Sequence, residues 1–259
     1  MSKSLAERLG PLLVIIGLFL VWQAVGMMIG EDYFPTPIAL IPAMRTLLSD
    51  GDIWGDLGHS LWRLAMGFLL AIVTAAPLGI VAGRSKAVRD FITPLLSLFY
   101  PIPKAALIPI FMLWFGAGDL SKILIIYLSV TLPIVYHGQQ GARSVDDKLI
   151  WSAQAMGTGR LGLLLRVVLP AALPELLLGV RVALVIGLIV MITSEMIVRQ
   201  NGLGYYLFNS MDMAQYKLTY LVIVIVGALG LVLDFGFELI RQRLTFWSPR
   251  QREPMVTEA

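Results

Sequence analysis

Six long apolar stretches leave this chain few ways to fold. A helix rises about 1.5 Å per residue, so about 20 apolar residues cross a hydrocarbon core of roughly 30 Å. Segments 10–29, 64–83, 91–115, 121–138, 172–197 and 218–240 meet that requirement. Hydrophobic residues make up 58% of the 259 positions and charged ones only 14%, against about 25% charge in soluble domains. The fold class is therefore an all-α integral membrane protein with six transmembrane helices. The basic start and apolar run at the N-terminus are read as a retained first span, because no A-x-A-like cleavage site precedes Glu31.

Lysine and arginine placement gives the orientation, since cytoplasmic loops are enriched in both. With the N-terminus inside, Lys3, Arg8, Arg84, Lys86, Arg89, Arg143, Lys148, Arg160, Arg166, Arg241, Arg243, Arg250 and Arg252 fall on the inner side. Arg45, Arg63, Lys122, Arg199 and Lys217 fall outside, and Lys104 and Arg181 lie within spans. The split of thirteen to five puts both termini and loop 139–171 in the cytoplasm. The three excess positive charges follow from this topology and give no ground for nucleic-acid binding. The outer segment 31–63 carries Asp50, Asp52 and Asp56, and its LIPAMRTLL run has helical spacing, as expected of an amphipathic helix on the outer membrane face.

The inner loop contains WSAQAMGTGRLGLLLRVVLP, a small-residue, basic island at 151–170. Ser144-Val145-Asp146-Asp147 resembles a capping box, and Gly157 suits a left-handed stop, which together predict a helix over 145–156. Ala153 and Ala155 leave little bulk there, so a partner surface can approach closely. RLGLLLRVV reads as a second, amphipathic surface helix, with Arg160 and Arg166 at headgroup level. Pro170 and Pro174 suit the opening turn of the fifth span.

The spacing from Ala153 through Gly157 to Leu169-Pro170 resembles the EAA signature of permease subunits in type I ABC importers. SLWRLAMGFLLAIVTAAPLGIVAGRS, PIPKAALIPIFMLWFG and SEMIVRQNGLGYYL are similar to blocks of the nitrate, sulfonate and taurine branch of that family. The resemblance implies one permease domain over residues 1–259, with a cytoplasmic coupling helix between the fourth and fifth spans. It implies ATPase contacts at Trp151, Ser152, Ala153, Gly157, Leu169 and Pro170. The family usually has Glu where this chain has Trp151 and Ala where it has Ser152, so Trp151 is expected to fill an apolar socket on a dedicated ATPase. Implied partners are two ABC ATPase subunits, an extracytoplasmic solute-binding protein, a second permease copy in a homodimer or a related permease in a heterodimer, and the lipid bilayer of the bacterial inner membrane. The implied cargo is a small organic or inorganic anion such as a sulfonate, nitrate or aromatic carboxylate. No G-x-x-x-x-G-K-[ST] occurs, so no cofactor is expected in this chain and ATP is expected on the partner.

Ionisable groups at membrane depth are candidates for the translocation path or its gates. Glu195 precedes the Gly-Leu-Gly turn and reads as an outer gate, a pair across the dimer, or a solvated helix end. Lys104, among Pro101, Pro103 and Pro109, either lines an anion route through a broken third span or marks the break. Arg181 is within reach of the inner surface or of Glu175. The small-residue runs at 71–83 and 179–187 fit close packing within the chain or a dimer seam.

His59 and His137 fall at opposite faces and suggest no metal site. The absence of cysteine excludes disulfides and thiol catalysis. No Ser-His, paired-Asp or H-E-x-x-H arrangement supports an intramembrane enzyme. An ion-gradient-driven secondary transporter is the alternative, and it would need carboxylates at span centres, where none is read.

Overall fold

A computed structural model describes residues 5–49 and 52–248, and every regular element among them is helical. Lys3, Arg250 and Arg252 from the charge count, and Asp50 of the outer segment, lie outside the described residues. Helix α1 (Leu5–Ile29) exposes Leu12, Leu18 and Leu20 as a lipid-facing span does, and is tied down near its end by Trp22 Nε1, which donates to Pro35 O at 3.1 Å. Helix α2 (Pro37–Ser49) is the outer helix expected from LIPAMRTLL, and it buries Leu40 and Leu47.

The second span departs from expectation. Helix α3 (Asp52–Arg84) starts twelve residues before position 64, so Asp56, Ser60 and Arg63 ride on the span rather than in an outer loop. The third span is broken, with α4 (Lys86–Phe99) and the segment Lys104–Phe115, which contains α5 (Ile108–Phe115), bent by 84°. Pro101 and Pro103 remove two amide donors just past the end of α4, so the helix cannot continue through them and the chain bends there.

Helix α6 (Asp119–Arg143) runs through the middle of the molecule, with Ile125, Ile126, Val130 and Ile134 buried. Helix α7 (Asp147–Ala155) is followed by α8 (Arg160–Leu163), a wide turn Leu164–Val168, and α9 (Leu169–Val198). RLGLLLRVV is thus no separate surface helix. Leu169 N donates to Leu164 O, five residues back, and this wider turn carries the helix into the Pro170 segment without a break. A further helix, α10 (Leu203–Asp212), precedes α11 (Tyr216–Leu244). Among the described residues five helices are long and apolar enough to cross a membrane, and the bent pair, taken as one span, brings the number to six.

The core is α3, α6 and α9, joined by small residues. A Cβ on Gly79 of α3 would lie 2.6 Å from Val135 O and 3.1 Å from Gly138 Cα of α6, closer than any side chain fits. The small-residue run at 71–83 therefore packs within the chain. Gly79→Val is expected to push α3 from α6 at a cost of about 1–3 kcal/mol, read as a lower melting temperature of the purified chain.

Two charge expectations are corrected. Arg181 pairs with Asp234 of α11 through two 2.7 Å hydrogen bonds, with Glu238 at 3.4 Å, while Glu175 meets His137 Nδ1 at 2.9 Å. Asp234, inside the sixth span, was passed over as a carboxylate at membrane depth. Its partner is a cation on the neighbouring span, and one sequence read span by span does not reveal such a pairing.

Candidate functional site

The inner end of the molecule presents α7. Its N-cap is Asp146, whose carboxylate accepts from Lys148 N at 2.9 Å. Ser144 instead terminates α6 and donates to Gly141 O, so the helix is shorter at both ends than 145–156. Gly157 stops it at φ +82°, with Gly157 N donating to Gln154 O at 2.9 Å and Thr158 N to Ala153 O at 3.0 Å. These two bonds form a Schellman cap, which needs the left-handed conformation that glycine adopts without strain.

Two faces of α7 differ. Ile150 and Ala153 are buried, and Ile150 joins the cluster that contains Val145, Val168 and Ala172, which fixes the helix to the α6–α9 core. Arg84 at the end of α3 reaches Asp147 at 3.2 Å. The other face is open: Trp151 is 64% exposed, and Leu149, Ser152 and Met156 are also exposed. An unpaired indole beside Leu149 and Met156 suits a complementary apolar surface. Leu169 and Pro170 are half-buried at the start of α9 and do not share that open face.

The outer end holds a buried polar cluster. Glu195 and Arg63 are both 0% exposed, with Arg63 Nη1 donating to Glu195 Oε1 at 2.7 Å. Arg63 also donates to Asp119 Oδ1 at 2.7 Å, to Asn201 O at 3.0 Å and to the Asn201 side chain. Glu195 further accepts from Ser60 Oγ and from Gly204 N at 3.0 Å. Asp56 accepts from Gly202 N at 2.6 Å. Gly202 sits at φ +107°, and a Cβ there would strike the Glu195 carboxylate. The cluster thus binds α3, α6, α9 and the turn before α10 into one unit.

Glu195 is neither a solvated helix end nor free to reach another copy. Arg63 lies 21 residues from Arg84, about 32 Å along the helix, so the cluster stands at the outer edge of the hydrocarbon core. Lys122, read from sequence as an outer-loop cation, is buried beside it, and its Nζ has no hydrogen-bond partner among the described residues. Sequence reasoning found Glu195 but missed Arg63, Ser60, Asp119 and Asn201. A buried carboxylate needs a partner, yet nothing in sequence spacing says which residue 132 positions away supplies it.

Lys104 occupies the break in the third span. Its Nζ donates to Phe99 O at 3.0 Å and Tyr100 O at 2.7 Å and lies 5.6 Å from the Tyr100 ring centroid. It satisfies carbonyls at the end of α4 that have no helical partner and places a cation where the helix dipole is negative.

The chain matches the family described as Binding-protein-dependent transport system inner membrane component over residues 75–246, a stretch that includes α7 and Glu195. It is 30% identical over 254 residues to the taurine transport system permease protein TauC of Escherichia coli (strain K12), covering 95% of this chain and 91% of that protein. It is 31% identical to the putative aliphatic sulfonates transport permease protein SsuC of Bacillus subtilis (strain 168), with 88% and 83% covered. Among solved structures, an inward facing conformation of the MetNI methionine ABC transporter is similar in fold, with TM-score 0.63, 18% identity, and 79% of this chain and 99% of that one covered. The ion-gradient-driven alternative is set aside by these matches. With its helical membrane fold and inner coupling segment, the chain belongs to the inner-membrane permease components of binding-protein-dependent ABC import systems.

Proposed function

We propose that the whole chain, residues 1–259, is one permease unit that pairs with a second copy and moves a small anion of the sulfonate class inward. Two ABC ATPase subunits drive it, an extracytoplasmic binding protein loads it, and both termini face the cytoplasm. ATP is held by the partner ATPase and no cofactor by this chain. The observation that carries this reading is the open face of α7, with Trp151 at its centre, on a helix whose other face is locked into the bundle. Closure of an ATPase dimer on ATP displaces α7, and the Ile150 and Arg84–Asp147 contacts pass that displacement to α3, α6 and α9. Trp151, Ser152 and Ala153 form or back the docking face, Gly157 ends it, and Leu169-Pro170 begins the span that answers it. Likeness to permeases named for taurine and aliphatic sulfonates supports the cargo class.

Trp151→Ala is expected to weaken ATPase docking by about 2 kcal/mol, roughly 30-fold in affinity, as truncation of a central aromatic anchor does. Titration of purified ATPase onto the chain in lipid nanodiscs measures it, and unchanged affinity would remove Trp151 from the contact. The cargo is tested by ATP-dependent uptake into vesicles holding permease, ATPase and binding protein. Taurine, ethanesulfonate or nitrate should enter, and uptake confined to neutral or cationic solutes would overturn the cargo class.

A further inference from the structure

Helix α4 has two unlike faces. Phe91, Leu95 and Leu98 are exposed on one side, while Thr93, Ser97 and Tyr100 recur at helical spacing on the opposite side. That second side faces Tyr136 and Gln139 of α6 across a cavity of about 470 Å³, floored by Leu96 and Leu132. The volume is in the range of small-molecule sites, roughly 300–1,000 Å³. Gln139 lies four residues and Leu132 eleven from the end of α6, so the cavity spans depths of about 6 to 16 Å from the inner end.

Most of its polar groups are not spent on the fold. Elsewhere in the spans, Thr74, Ser129, Thr131 and Thr193 donate their hydroxyls to the carbonyl four residues back. The hydroxyls of Ser97, Tyr100 and Tyr136 make no hydrogen bond among the described residues. Gln139 Nε2 donates to Thr93 Oγ1 at 3.2 Å, and its Oε1 is buried with no partner. Turning the amide over satisfies one atom and strands the other, so either orientation leaves a polar atom unmatched. Unpaired polar groups at this depth are costly against lipid but not along a watered route. The ammonium of Lys104 lies 5.6 Å from the ring centroid of Tyr100, one of the residues that line the cavity.

We propose that this cavity is a transient cargo subsite on the inner half of the translocation path. It holds the head of a small sulfonate-class anion by neutral hydroxyl and amide donors, with Lys104, beside Tyr100, adding positive potential from nearby. Neutral donors suit a transporter, because a site on the path must bind well enough to admit cargo and weakly enough to release it. The inference rests on the anion-importer reading above.

The chain contains no cysteine, so Ser97→Cys places one thiol in the cavity. The variant is probed in membranes with its ATPase and binding protein, using sulfonatoethyl methanethiosulfonate and its trimethylammonium counterpart. Met213→Cys, on an exposed turn, sets the intrinsic rates, and Leu98→Cys, on the lipid side, is expected not to react. The preference for the anionic reagent at Ser97→Cys is expected to exceed that of the control about tenfold, and ethanesulfonate is expected to slow the labelling. A thiol that does not react, or reacts without charge preference and without protection, overturns the subsite. Uptake of ethanesulfonate by the wild-type complex is measured in parallel. Uptake without protection overturns the subsite alone. No uptake overturns the cargo reading, and the subsite then stands or falls on the charge preference.

Discussion

Arg63→Ala is expected to be the most damaging single truncation in the chain, costing about 3–5 kcal/mol, because it strands Glu195 as a buried charge without its partner. Arg63 is the hub of the outer cluster: one guanidinium meets carboxylates of α6 and α9 and the backbone before α10. Its loss removes several charge-assisted hydrogen bonds at once. In a thermal scan of the detergent-solubilised chain, the melting temperature should fall by roughly 10 °C. The double variant Arg63→Met with Glu195→Gln should recover much of that loss, since replacing a whole buried pair costs far less than breaking it. A single variant that melts with the wild type would mean that the cluster is hydrated rather than buried. Arg63→Lys keeps the charge but lacks the planar fork that reaches three partners, and it should fall between the two.

Gly157→Val is expected to separate transport from folding. The position has open space around it, with no atom within 4 Å of a built Cβ, so the φ of +82° is the only obstacle. A left-handed conformation costs a β-branched residue about 1–2 kcal/mol, enough to unwind the Schellman cap and release the end of α7. The bundle core is untouched, so the melting temperature should stay near that of the wild type. ATP-driven uptake should fall about tenfold or more, the change that 1.4 kcal/mol of lost coupling produces. Gly157→Asn, which tolerates the left-handed region, should retain most of the activity. Full uptake by the valine variant would show that the stop at Gly157 has no part in coupling.

The two variants act at opposite ends of the same three helices. One breaks the outer fastening of α3, α6 and α9, and the other loosens the inner handle fixed to them. Between the ends, glycine and alanine contacts pack the helices closely, so in the proposed coupling a push on α7 would be carried as a rigid-body displacement rather than absorbed.

Much of this was legible in the sequence because it is local or periodic. Apolar length identified the spans, the proline cluster around Lys104 marked the broken one, and Gly157 ended the inner helix. The family blocks identified an import permease. Other features depend on which helices become neighbours. Ser144 looked like a cap but serves the end of α6, and RLGLLLRVV has the pattern of a surface helix but continues into α9 because a wide turn carries it through. The start of α3 was hidden because Asp56, Ser60 and Arg63 look like loop residues until partners from positions 119 to 203 close around them.

By itself, then, the sequence determined the membrane class, the number of spans, the place of the coupling segment and the family, since hydrophobic length and backbone stereochemistry act over a few residues. Only the tertiary structure decided what its charged and polar side chains are for. Arg63 and Lys122 became interior cations, Arg181 turned to Asp234, and Thr93, Ser97, Tyr136 and Gln139 came together around one cavity. The physical reason is that a charge or hydroxyl at membrane depth must find its partner across space, and helix packing, not sequence distance, chooses which partner that is.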